Sequence, residues 1–261
     1  MLFRSLEIQI ASKNISNKVL TWSSSMNLSF NRNRLLSFPG LSNSSYVNNY
    51  FIGMPIGTRK LYRFVGVDPL TGLYSFDDAD GNGILNSSDR VLFQNVLPQY
   101  IGGLSNTLKY KTFSLSLFFE FRKQMGYDFL TNNVSVSTPG YDIANQPLAV
   151  LSRWRELGNV SNVQRFGAGS SSPVAGVMNQ YLPISNGNIS DASFIRCKNI
   201  SLSYSLPTKF LKSFRVEKSE IYVQAQNLFV ISKYKGADPE NQNLFVLPPL
   251  RSVVIGVNLT F

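Results

Sequence analysis

The chain lacks histidine altogether and has a single cysteine among its 261 residues. Without histidine, the usual general base and a common metal ligand are missing, so no catalytic triad of the Ser-His-Asp kind is possible. A lone cysteine excludes an intramolecular disulfide and leaves the cellular compartment open. No run approaches the ~18 apolar residues of a transmembrane helix, and the first residues alternate in polarity and do not have the pattern of a signal peptide. We identify no catalytic residues and predict that the protein is not an enzyme.

The chain also lacks clusters of like charge, although its formal net charge is +10. The lysines and arginines are scattered, and no basic run of the length typical of nucleic-acid binding occurs. Nucleic acid is therefore not an expected partner. Anionic lipid or polysaccharide at a membrane surface would also suit a basic protein.

What the sequence does contain is period-two alternation of apolar and polar residues, which is typical of strands with two unlike faces. Seven segments show it: "LFRSLEIQIA", "WSSSMNLSFN", "LSNTLKY", "FSLSLFFEF", "NISLSYSL", "EIYVQAQN" and "RSVVIGVNLTF". Their polar faces consist mostly of Ser, Asn, Thr and Gln, with few charges. About ten residues at ~3.3 Å each, tilted by ~45°, rise roughly 23 Å, close to the ~25 Å apolar band of a membrane barrel.

The connections between these segments are alternately short and long. We expect about ten residues between the first two strands and only Lys111-Thr112 between the third and fourth. Loops 34–100, 122–192 and 230–250 are long. An outer-membrane barrel has short periplasmic turns and long extracellular loops, so the last strand would end at the periplasm. Two groups of aromatic residues then fit the two membrane interfaces: Trp22, Tyr110, Phe113, Tyr204 and Phe261 at the periplasmic end, and Phe30, Phe119 and Phe121 at the outer end.

We therefore predict an all-β fold, an antiparallel transmembrane β-barrel fragment of about seven strands of a larger barrel. The alternative is a soluble β-sandwich whose aromatic residues form its core. One stretch breaks the pattern, because Arg196 and Lys198 would share the apolar face with Ile200 if alternation held throughout. Either these cations meet anionic head groups at the outer end of the strand, or a β-bulge turns them away.

The acidic stretch "DADGNGILNSSD" in loop 34–100 has the spacing of an EF-hand calcium loop without obvious flanking helices. Asp78, Asp80 and Asn82 occupy positions 1, 3 and 5, Ile84 offers its carbonyl at position 7, and Asp89 closes the loop at position 12. Gly83 provides the sharp turn at position 6. Such a loop can supply the hard oxygen ligands that Ca²⁺ prefers. We predict a structural calcium site in an extracellular loop; a solvated acidic turn is the alternative.

Nearly the whole chain resembles the carboxy-terminal part of the SusC/RagA-type TonB-dependent outer-membrane transporters of Bacteroidetes. The resemblance is carried by stretches in the family's order: "WSSSMNLSFNRNRLLSF", "GMPIGTRKLYRFVGVDPLTGLYSFDDADGNGILNSSDR", "PQYIGGLSNTLKYKTFSLSLFFEFRKQMGYD", "RWRELGN", "DASFIRCKNISLSYSLP", "IYVQAQNLFVISKYKGADPE" and "LPPLRSVVIGVNLTF". It implies a bacterial outer-membrane location and a part in importing oligosaccharides or peptides. It also implies as partners the TonB complex, a SusD-like surface lipoprotein and outer-membrane lipid.

Residues 1–261 are expected to be the C-terminal portion of such a barrel, with the plug domain and the N-terminal strands absent. Loops 34–100 and 122–192 would meet the substrate or the lipoprotein, but the sequence identifies no substrate-binding residues. A rival function is that of a soluble, calcium-stabilised β-sandwich that binds carbohydrate or acts as an adhesin, which should fold without detergent. A carbohydrate-active enzyme would instead need two carboxylates facing one cleft.

Overall fold

The computed structural model describes residues 2–132, 138–143, 145–211, 216–243 and 246–261. One antiparallel sheet dominates it, and its seven long strands coincide with the seven alternating segments. They are β1 (Leu2–Ser16), β2 (Leu20–Arg34), β7 (Tyr100–Tyr110), β8 (Phe113–Lys123), β11 (Phe194–Ser205), β12 (Lys218–Gln226) and β14 (Ser252–Thr260). Their order in the sheet is their order along the chain. This meander confirms the predicted all-β antiparallel architecture.

Shorter elements lie in the long connections. The strands are β3 (Thr58–Tyr62), β4 (Phe64–Val67), β5 (Tyr74–Phe76), β6 (Arg90–Asn95), β9 (Met125–Tyr127), β10 (Ile189–Asp191) and β13 (Val230–Ser232). β3 pairs with β6, β4 with β5, β9 with β10, and β13 with β11. The helices are α1 (Pro173–Gln180) and α2 (Thr208–Leu211), with 3-10 turns at Leu41–Asn43, Ser87–Asp89, Leu148–Ser152, Leu182–Ile184 and Asn186–Asn188. In the described part of the chain, no helix is long and apolar enough to cross a bilayer.

The turns at one end of the sheet are short. Lys111, in the left-handed region at φ 53°, and Thr112 join β7 to β8, as predicted. The first turn is shorter than predicted, because β1 continues to Ser16 and only residues 17–19 separate it from β2. The Asn17 side chain closes that turn by accepting from the backbone N–H of Leu20. At the opposite end, the long connections confirm the alternation of short turns and long loops.

The apolar face of the sheet is open. Val257 and Leu259 expose 57% and 52% of their surface, and Leu115 and Leu117 are only partly covered. Among the described residues no second layer packs on this face, as the core of the alternative soluble sandwich would require. Gly102 and Gly103 allow close approach within the sheet: a Cβ at Gly102 would lie 2.3 Å from the Phe121 ring. The absence of a side chain at Gly102 thus leaves room for the Phe121 ring.

The apolar face nevertheless carries one polar row that alternation alone missed. Asn14 donates to Ser24 at 2.7 Å, and Ser24 donates to the Asn106 carbonyl oxygen at 2.7 Å. The Trp22 indole N–H donates to the same oxygen at 3.1 Å. Asn14 is the extra residue of a bulge in β1, where the register shifts between Lys13 and Ile15. Because these polar groups bond to one another, the row places fewer unpaired donors and acceptors against hydrocarbon.

Buried packing is concentrated in the loops. Tyr74, Met178 and Leu182 form an apolar cluster, with Phe64 and Phe76 packed against it. Helix α1 is positioned for this contact by Ser172, whose hydroxyl caps it by accepting from the Ala175 N–H, and by Pro173 in its first turn. The cluster therefore joins loop 34–100 to loop 122–192. Trp154 strengthens the same junction by stacking on Gly72 and donating to the Pro69 carbonyl at 3.2 Å.

Candidate functional site

The predicted calcium loop lies between two strands, β5 and β6, and not between helices. The carboxylate oxygens of Asp78, Asp80 and Asp89 lie within 4.8 Å of one another. Asp89 is fully buried and accepts from the backbone N–H groups of Ala79 and Asn86 at 2.9 and 2.8 Å. The Asn86 N–H, followed by other backbone donors, holds the pKa of Asp89 below its usual range. An ionised carboxylate is therefore maintained at the closing position.

The rest of the loop is curled by its own side chains. Asp78 accepts from Gly81 and Gly83 at 3.0 and 2.7 Å, and Asn82 accepts from the Ile84 N–H at 2.7 Å. Gly81 and Gly83 adopt φ values of 70° and 80°, which favour glycine. The three predicted aspartate ligands are thus held close together on a curled backbone. Three carboxylates at this separation repel one another, so the oxygen-rich set fits a divalent cation chemically.

A second cluster lies on the polar face of the sheet and was not predicted. The pattern-breaking Arg196 and Lys198 are turned there by a bulge between Cys197 and Asn199. Arg196, 3% exposed, pairs with Asp238, 1% exposed. Lys198 contacts Glu120 at 3.0 Å and Glu240 at 3.1 Å. The alternative that these cations meet lipid head groups is therefore wrong, because the bulge at Lys198 places both side chains on the polar face.

Arg122 completes this cluster, donating to Glu120 at 2.8 Å. The Arg122 and Arg196 guanidinium groups lie 5.4 and 5.5 Å from the centre of the Phe194 ring. Three cations and three carboxylates thus neutralise one another around a buried aromatic ring. The cluster fastens the segment 233–243 to strands β8 and β11. Glu120 and Glu240 are far apart in the sequence, so spacing does not reveal this cluster. The available signal was the pair of cations in "FIRCKN" that breaks the alternation.

Elsewhere the polar face is lined mostly by uncharged groups, with a few charged residues such as Glu7 and Lys109. Cross-strand pairs such as Ser116 with Ser201, and Ser114 with Ser203, continue the Ser-rich surface toward the short turns. Gln224 donates to Asn199 at 3.0 Å on the same face. Such hydroxyl and amide groups suit the wet interior of a barrel. The aromatic residues expected at the short-turn end also gather there, with the Phe113 and Tyr204 rings 4.7 Å apart.

The chain is similar to known proteins over nearly its whole length, although no family model matches it. It is 27% identical to TonB-dependent receptor P3 of Formosa agariphila, covering 98% of this chain and 28% of that protein. It is also 27% identical to TonB-dependent receptor SusC of Bacteroides thetaiotaomicron, covering 98% of this chain and 26% of that protein. The chain therefore spans little more than a quarter of the length of these relatives.

A solved structure with the same fold is that of the RagAB peptide transporter, with a TM-score of 0.77 and 24% identity. The match covers 99% of this chain and 29% of that one. The relatives are receptors and transporters, which agrees with the expectation that the chain is not an enzyme. The predicted fold, a fragment of an antiparallel β-barrel, and the predicted bacterial outer-membrane location are confirmed. Over nearly its whole length, the chain is similar to the SusC/RagA type of TonB-dependent outer-membrane receptor.

Proposed function

We propose that the chain forms the C-terminal wall and the substrate-facing loops of an outer-membrane importer of oligosaccharides or peptides. The observation that carries the proposal is the seven-strand meander whose apolar face is uncovered and whose other face is polar. In a barrel, the first face contacts hydrocarbon and the second lines the aqueous path. Seven strands leave two open edges, which are not tolerated in lipid. The missing strands, the plug domain and the contact with the TonB complex belong to the remainder of a longer protein.

We propose that the long loops of the chain capture the cargo. Loops 34–100 and 122–192 are joined by a common core and stand at the end opposite the short turns. A rigid pair of loops at the barrel mouth suits contact with cargo and with a SusD-like surface lipoprotein. One solved structure of the same fold is described as a peptide transporter, and one relative is named SusC. The first description supports a peptide cargo, and the oligosaccharide class follows from the family resemblance of the sequence, so the proposal keeps the two classes together.

The test is uptake by cells that carry the full-length receptor gene or a deletion of it. We expect labelled oligosaccharides or peptides of one class to accumulate only when the receptor is present. Accumulation should stop when an uncoupler removes the energy that TonB transmits. Uptake that is identical in the deletion strain for both cargo classes would overturn the proposal. Copurification of a surface lipoprotein with the receptor tests the proposed partner separately.

We also propose that Asp78, Asp80, Asn82, Asp89 and the carbonyl of Ile84 bind a structural Ca²⁺ ion. The convergence of the Asp78 and Asp80 carboxylates on the buried closing carboxylate of Asp89 supports this. The ion would relieve repulsion and stiffen the long loop, so its function would not be that of a sensor. Isothermal titration of the purified receptor should show a site that Asp78→Ala or Asp80→Ala removes. Asp142→Ala, in another exposed loop segment, is the control. Equal calcium affinity in all variants would show that the loop is only a solvated turn.

A further inference from the structure

A shallow cavity of about 380 Å³ opens at the long-loop end of the sheet. Its floor is formed by Phe121, Ile195 and Ile231, which are cross-strand neighbours in one row. Phe121 lies on the same face as Leu115 and Leu117, because residues two apart in a strand share a face. The floor therefore belongs to the apolar, membrane-facing side of the sheet. Ile195 and Ile231 expose 46% and 61% of their surface.

The rim of this cavity is polar and carries positive charge. Tyr100, Lys123 and Lys233 line it on the side toward the long loops. Lys123 is paired with Asp191 at 2.9 Å. Lys233 is exposed, and within the described ranges it forms no ion pair. Lys233 thus differs from Arg196 and Lys198 on the polar face, whose charges are neutralised by carboxylates. In the part of the chain that the structure describes, it leaves an unpaired positive charge at the rim of an apolar cavity.

This combination matches an amphiphile with a phosphate at one end. Acyl chains would lie on Phe121 and the two isoleucines, while the phosphate would meet the Lys233 ammonium group. The position is the boundary between the apolar band and the long loops, where the head groups of the outer leaflet are found. We propose that this cavity binds the phosphorylated head group and adjoining acyl chains of an outer-leaflet lipid. The inference depends on the membrane position of this face and not on the identity of the cargo.

The test uses the full-length receptor, purified in detergent and stripped of lipid. Dioleoyl phosphatidic acid is the probe, dioleoylglycerol lacks its phosphate, and inorganic phosphate lacks its acyl chains. Native mass spectrometry should show saturable binding of phosphatidic acid at least about fivefold tighter than that of dioleoylglycerol. Inorganic phosphate should not compete at comparable concentration. Equal binding of the two lipids, or displacement by phosphate alone, would overturn the proposal.

Variants locate the binding. Lys233→Ala should weaken phosphatidic acid binding about fivefold, and Lys233→Arg should restore it. Lys18→Ala is the matched control, because Lys18 is an exposed lysine in the short turn at the opposite end of the sheet. The shift in gel migration between heated and unheated receptor verifies that each variant is folded. If Lys233→Ala binds as wild type does, or if Lys18→Ala weakens binding equally, the cavity is not the site. If the receptor binds phosphatidic acid as expected but imports neither cargo class, the result would count against the proposed transport function and not against the lipid site.

Discussion

The seven-strand sheet and the long loops at one end of it differ in how their apolar side chains are kept from water. Ile255 in β14 exposes 73% of its surface, whereas Leu182 and Met178 in the loops expose 0% and 1%. The loops have an apolar core of their own, as a water-soluble domain does. The sheet leaves that task to the surrounding membrane. Apolar side chains of the sheet are therefore surrounded by lipid, and those of the loops by other protein side chains. The same substitution should change the stability of the two regions by different amounts.

The largest expected loss of stability comes from breaking the charged cluster that fastens segment 233–243 to the sheet. Asp238→Ala would leave the Arg196 guanidinium buried without its partner, which typically costs about 3–5 kcal/mol. Hydrogen exchange in segment 233–243 should accelerate accordingly. Asp142→Ala, which removes an exposed carboxylate, should change exchange little. Similar behaviour of the two variants would mean that the charged cluster does not fasten the loop.

A pair of identical substitutions measures the difference in burial directly. Leu182→Ala removes a fully buried side chain from the loop core and should cost about 2–5 kcal/mol of local stability. Leu202→Ala, at a position 47% exposed on the apolar face of β11, should cost much less in a bilayer. Urea denaturation of the receptor in vesicles, with hydrogen exchange for the loop, reports both. A loss at Leu202 as large as that at Leu182 would contradict the open sheet.

Introducing a charge distinguishes the two faces of the sheet. Ile255→Arg places a cation on the membrane-facing side and should destabilise the barrel by about 2–4 kcal/mol if the site is near the bilayer centre. Val254→Arg, at the adjacent residue, points to the opposite face and should be nearly neutral. Val254 pairs with Gln224 of the polar face, and Ile255 pairs with Val223. Reversed effects in vesicle-based unfolding would require the faces to be exchanged.

The smallest expected effect is a pH dependence in the loops. A hydrogen bond from Ser193, and then Lys123, lower the pKa of Asp191 to about 2 from 3.8. Because the folded pKa is lower, this contribution is present above pH ~4 and is lost as the pH falls toward 2. Asp191 is substantially exposed, so we expect less than about 1 kcal/mol. Asp191→Asn should flatten the dependence of β10 hydrogen exchange on pH in that range, while Asp142→Asn should leave it unchanged.

Much of the sheet could be predicted because two-residue alternation reports directly which face is apolar. All seven long strands and the Lys111-Thr112 turn followed from it. The short loop strands could not, since segments such as β5, with three residues, are too brief to show a period. The bulge at Asn14 was equally hidden, because the extra residue changes the register without an obvious change in composition. The bulge beside Cys197 was indicated, because Arg196 and Lys198 break the alternation.

The sites were predictable to the extent that their residues are close in sequence. Asp78 and Asp89 belong to one stretch, and the structure brings their carboxylates together as the spacing indicated. Their occupation by calcium remains a prediction. The polar-face cluster needed the tertiary fold, because Arg196 and Asp238 are 42 positions apart. The lipid-facing cavity likewise combines side chains from separate strands, so spacing along the chain gave no indication of it.

The single inserted residue near Cys197 also bears on how such a gene can change. Removing the codon for Lys198, the inserted residue, would delete one cation and swing Arg196 from the aqueous side into hydrocarbon, whereas deleting one codon in an exposed loop reverses no strand. Within a strand, losing two adjacent codons preserves the facing of every later residue, and losing one does not. Viable length variants of this protein should therefore accumulate in the loops, and those within strands should occur in steps of two.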